Sequence, residues 1–146
     1  SARYGAVVVD ALCEAVAELA EGRAVSLMGY SGGGALAILL SHCLPTVVNV
    51  VTVNGNLATD VWANQRGFAP LSASFNPITK GLPERVQGRL FLVGEEDAVV
   101  PAGISSHFAA EHGGDVIGFR GYGHRCCWLS AWPQILDQLQ DRLPIW

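Results

Sequence analysis

Apolar positions along the chain alternate between two periods. Over 7–21, Val8, Leu12, Ala15, Val16 and Leu19 recur at three-to-four spacing, with Asp10, Glu14, Glu18 and Glu21 opposite them. That pattern predicts an amphipathic helix whose acidic stripe is a solvated face, with Gly22 as its stop. AVSLM at 24–28 is a short continuous apolar run, as in a strand covered on both faces. ALAILLSHCL at 35–44 is apolar nearly all round and halts before Pro45, which predicts a buried helix. TVVNVVTV at 46–53 is β-branched and closes on the turn-like Asn54-Gly55-Asn56.

From Leu57 to Gly88 the periodicity gives way to Trp, Pro, Gly, Asn and Ser, an irregular excursion with one short helix near Asp60–Gln65. RLFLVG at 89–94 and DVIGF at 115–119 predict two more strands, separated by a helix around Ala102–Ala110. Pro133, suited to a first helical position, opens a last helix carrying Ile135, Leu136, Leu139 and Leu143. Strands that alternate with helices pair in parallel through right-handed crossovers, so the fold class is α/β, a parallel sheet flanked by helices. The 146 residues make one domain.

Composition narrows the function classes. Half the residues are hydrophobic, enough for a buried core. The net charge is −4 and the nine Lys and Arg form no cluster, which argues against a nucleic-acid partner. No stretch nears the roughly 20 apolar residues of a transmembrane helix, so a soluble protein is expected, its compartment open. The opening SARYGAVVVD has no initiator Met and no signal-peptide layout, which leaves open what precedes Ser1. Cys13, Cys43, Cys126 and Cys127 lack CxxC spacing and are expected as buried or half-buried thiols. The adjacency of the last two keeps a redox role open.

Ligands of open parallel sheets bind beyond the carboxyl ends of the strands. Ser31 follows the first strand, and Asn54 and Asp60 follow the second. Glu95, Glu96 and Asp97 follow the third, and His124 follows the fourth. A hydroxyl, a carboxylate and an imidazole at one sheet edge are what activates a serine: a base takes its proton, and a carboxylate orients the base. Ser31 sits in GYSGG (29–33), where small neighbours tolerate the sharp turn that projects it. The Gly32 N–H, at the helix start, is placed to hold an oxyanion. Among the histidines, His42 falls inside a buried helix, and His107 and His112 lie on or just after a helix. Only His124 directly follows a strand end. Dinucleotide binding is disfavoured, because GYSGGG lacks GxGxxG spacing and no acidic residue ends TVVNVVTV.

On these residues the sequence resembles the α/β-hydrolase family. GYSGG matches its nucleophile elbow, GEEDAVVP (94–101) its acid loop and GYGH (121–124) its histidine loop, in the family's order. The resemblance implies a serine hydrolase of carboxylic esters or related acyl substrates, with Ser31, Asp97 and His124 as triad and no cofactor or metal. It implies a small cap over the substrate pocket at 57–88, with Tyr30, Trp62 and Trp128 as candidate pocket residues. The chain carries only the second half of the family's sheet, without its N-terminal strands. The strand at 24–28 is therefore expected as an exposed edge, covered by an absent N-terminal segment, a partner chain or a homodimer. A non-catalytic binding or association module of the same fold is the alternative, and thioesterase or peptidase activity would use the same residues.

Overall fold

The structure, a computed structural model, describes residues 2–143. Its elements are α1 (Ala6–Ala20), β1 (Val25–Tyr30), α2 (Gly32–Cys43), β2 (Val47–Val53), α3 (Thr59–Gln65) and α4 (Pro77–Lys80), followed by β3 (Gly88–Gly94), α5 (Ala102–His112), β4 (Asp115–Phe119) and α6 (Trp128–Arg142). The four strands form one parallel sheet in the order β1-β2-β3-β4. Chain order and sheet order coincide, so all strands end on one edge, and the loops after them converge there.

Each face of the sheet has its own core. Val50 and Phe91 join Ile38 and Leu40 of α2, Val9 and Cys13 of α1, and Ile104 and Phe108 of α5. Val51, Val53, Leu90 and Leu92 face the other way, against Trp128, Ile135 and Leu139 of α6. β2 and β3 alternate between these cores and are buried on both sides, which is why they read as near-continuous apolar runs.

β1 departs from the expectation of a strand covered on both faces. Among the described residues it pairs only with β2, and Met28 and Tyr30 are 38% and 46% exposed. α6 is the helix of the second face, and it leaves β1's side of that face open. α6 also begins earlier than Pro133 suggests: it starts at Trp128 and carries Pro133 inside it. The proline removes one amide from the ladder close to the helix start, where Leu129, 90% exposed, leaves the turn open to water.

The cysteines are not thiols. Cys13 of α1 is disulfide-bonded to Cys43 at the end of α2, and Cys126 to Cys127, so none is free among the described residues. Thirty residues separate the first pair in sequence, but α1 packs on α2 and brings their Cα atoms to 6.2 Å. That is bridging distance. Segment 57–88 packs back onto the body: Phe75 N–H donates to Tyr4 O at 3.0 Å, and Ser74 Oγ accepts from Tyr4 N–H at 3.1 Å.

Candidate active site

Ser31 stands between β1 and α2 with φ 54° and ψ −119°, a conformation that costs a non-glycine residue about 1–3 kcal/mol. The sheet holds it there. Its N–H donates to Val53 O at 2.9 Å, and its carbonyl accepts from Gly34 N–H and Asn56 N–H, both at 3.0 Å. Its hydroxyl makes no capping bond to α2, so Oγ projects from the sheet edge. Gly29 is required below it, because a Cβ there would meet the Gly33 carbonyl oxygen.

Opposite Ser31 is the loop after β4. His124 Nε2 lies 3.0 Å from Ser31 Oγ, and His124 Nδ1 lies 2.7 Å from Asp97 Oδ2. A carboxylate only accepts, so Nδ1 carries the proton and Nε2 is left to accept from the serine hydroxyl. The Asp97 side chain is fully buried and that of His124 is 14% exposed. Asp97's second oxygen accepts from Val99 N–H at 2.7 Å and Val100 N–H at 2.9 Å, which fixes the carboxylate's rotation.

Three side chains clamp the histidine loop. The Tyr30 hydroxyl donates to His124 O at 2.8 Å, and its ring lies 5.1 Å from the imidazole. Burial raises the Tyr30 phenol pKa, the Asp97 charge adds to the rise and Arg125 opposes it. The phenol therefore keeps the proton it donates. Asn54 Nδ2 donates to Gly123 O (3.1 Å) and His124 O (3.2 Å), while Asn54 Oδ1 accepts from Gly94 N–H at 2.8 Å. One amide thus ties the end of β2 to the loops after β3 and β4. Trp128 Nε1–H donates to Gly123 O at 3.0 Å.

The structure brings Ser31, Asp97 and His124 together and holds Gly32 beside them as the first residue of α2, whose amide has no intrahelical acceptor. Glu95, Glu96 and Asp60 are exposed. His42 and His112 bond the carbonyls of Gly81 and Ile78, and His107 pairs with Glu111. His42 is exposed on α2 rather than enclosed in it. Trp62 donates its indole N–H to Val99 O at 2.8 Å and stacks near Phe68, bracing the acid loop from outside. Tyr30 and Trp128 line a cavity of about 500 Å3 with Met28, Val53, Leu129 and Trp132. That cavity follows the open face of β1, and neither Ser31 nor His124 is in its wall. The sequence places Asn54 at this sheet edge and Tyr30 beside the pocket, but not the clamp that each makes on the histidine loop. Among the described residues no group of three His, Cys, Asp or Glu is placed to hold a metal ion.

No protein-family model matches the sequence, and none of the curated proteins does. Solved structures do match. One is MGS-MChE2, an α/β-hydrolase enzyme from the metagenome of lagoon sediments at Mar Chica, Morocco (TM-score 0.66, 19% identity, 91% of this chain and 68% of that one). Another is the monoacylglycerol lipase of Paleococcus ferrophilus (0.65, 16%, 92% and 76%). A third is the mouse α/β-hydrolase domain-containing protein 10 (0.62, 18%, 91% and 69%). Nearly the whole chain aligns, and it spans between two-thirds and about three-quarters of these neighbours' length. With four parallel strands, helices on both faces and the elbow between β1 and α2, the chain has the α/β-hydrolase fold.

Proposed function

We propose that the protein is a serine hydrolase acting on carboxylic esters or related acyl substrates through an acyl-serine intermediate. One observation carries this reading: the continuous relay from Ser31 Oγ through both nitrogens of His124 to the buried Asp97, at 3.0 and 2.7 Å. Ser31 Oγ adds to the acyl carbonyl carbon while its proton passes to His124 Nε2, and the carbonyl π pair moves to oxygen as an oxyanion. Gly32 N–H stabilises that charge. As the tetrahedral species collapses, the leaving oxygen takes the proton from Nε2. Water then repeats the sequence on the acyl-serine and frees the acid. Asp97 keeps Nδ1 protonated and faces the imidazolium as it forms.

That one structural neighbour is a monoacylglycerol lipase agrees with an acyl-ester substrate. We read 57–88 as the cover on the acid-loop side, since Trp62 and Arg66 donate to Val99 O and Ala98 O, both at 2.8 Å. Steady-state hydrolysis of p-nitrophenyl acyl esters tests the reading. Ser31→Ala and His124→Ala should each lower kcat at least a thousandfold, because triad members act as a unit. Turnover that survives Ser31→Ala contradicts it.

A second reading, an association module of the same fold, is favoured by the open β1. Among the described residues its backbone edge is unpaired on one side, and Met28 and Leu129 lie exposed beside the cavity. A chain that neither hydrolyses esters nor labels at Ser31 would favour it.

A further inference from the structure

Tyr4, just before α1, is 2% exposed and is held by the 57–88 segment, through Ser74 Oγ and Phe75 N–H.

 Two backbone bonds fix the residue: Tyr4 N–H donates to Ser74 Oγ at 3.1 Å, and Tyr4 O accepts from Phe75 N–H at 3.0 Å. Its ring belongs to the core shared by α1 and α2, so the phenol has little rotational freedom.

The hydroxyl ends at the nucleophile elbow. A Cβ built on Gly32 would stand 2.6 Å from Tyr4 Oη, so the phenol oxygen occupies the space a side chain at 32 would need. This bounds its distance from the Gly32 nitrogen at about 5 Å. Gly32 has no positive φ, so the backbone there does not call for glycine. The phenol does.

The proton of that hydroxyl is available. Arg3 is near enough to act electrostatically on the phenol, and a guanidinium can only donate. Its influence therefore falls on the lone pairs of Oη and takes nothing from the O–H. No acceptor among the described residues takes it. Burial outweighs the Arg3 charge and raises the phenol's pKa, which keeps it protonated at neutral pH.

We propose that the Tyr4 hydroxyl is a second hydrogen-bond donor to the oxyanion formed on attack by Ser31, beside the Gly32 N–H. The inference rests on the serine-hydrolase reading. Tyr4 itself takes no proton and forms no bond in the cycle. It donates while the carbonyl oxygen carries charge and relaxes as the carbonyl re-forms.

The test is a double-mutant cycle on the purified protein, with p-nitrophenyl ester kinetics, fluorophosphonate labelling and thermal melts. Tyr4→Phe keeps the ring and removes only the donor. It should lower kcat about a hundredfold with KM nearly unchanged, the usual scale for one oxyanion donor. Gly32→Ala should displace the phenol and lose a similar factor. In the Tyr4→Phe background the same alanine should cost little more, because its obstacle is gone. A boronic-acid mimic of the tetrahedral species should weaken in step with kcat, which a merely structural role for Tyr4 would not produce. Unchanged kcat in Tyr4→Phe, or losses that multiply in the double variant, would overturn the inference while the hydrolase reading stands. A wild-type protein that neither turns over nor labels would remove that reading, and this inference with it.

Discussion

Ser31 is held at φ 54° by three backbone bonds, so the site is a strained residue supported by the sheet around it. Asn54 is the corresponding support on the histidine side. It also has a positive φ, 47°, which asparagine tolerates, and its amide serves Gly94, Gly123 and His124 together. Asn54→Ala should destabilise the protein by about 3 kcal/mol, since it removes these bonds inside a buried setting. It should also lower kcat at least tenfold by loosening His124. Urea unfolding beside ester kinetics checks both, and a loss under 0.5 kcal/mol would contradict the assigned role. The meeting of Ser31, Asp97 and His124 at one edge was legible in the sequence because each follows a strand, and parallel strands share an edge. The clamps made by Asn54 and Tyr30 were not, because their partners lie 40 to 94 residues away, and the approach of Tyr4 to Gly32 leaves no mark on the residues around either. Such contacts leave no periodicity to read.

The elements came through where hydrophobic period was strong. β2, β3, β4 and the helices α1, α2 and α5 fall within a few residues of the pattern. α6 did not, because a proline reads as a helix start, and here the preceding turn is already helical. The Cys13–Cys43 disulfide was not legible for a different reason: its pairing depends on how α1 and α2 pack, and spacing alone does not encode that. The Cys13–Cys43 bond closes a loop of 30 residues, which restricts the unfolded chain by about 3–4 kcal/mol in the loop-entropy account. A Cys13→Ala/Cys43→Ala variant should lose roughly that stability in denaturant. Its labelling at Ser31 should persist under native conditions, because neither sulfur touches the site. Lost labelling in a variant that is still folded would contradict this separation.

At the scale of the molecule, two cores share one sheet, but they are unequally covered. α1, α2 and α5 close one face, whereas α6 leaves β1, Met28 and Tyr30 open on the other. An unpaired apolar edge invites association. Leu129→Glu places a charge at a position that is 90% exposed, so stability should change by less than about 0.5 kcal/mol. Light scattering at matched concentration should fall. A large loss of stability would mean that Leu129 is buried in the protein as it exists in solution. No helix among the described residues is long and apolar enough to cross a membrane.

The most direct test of the central claim is covalent labelling with a fluorophosphonate, read by intact mass, on the wild type, Ser31→Ala and His124→Ala. A single adduct per chain, absent in Ser31→Ala and nearly absent in His124→Ala, is the predicted result. No adduct on the folded wild type, or one that survives Ser31→Ala, would contradict it.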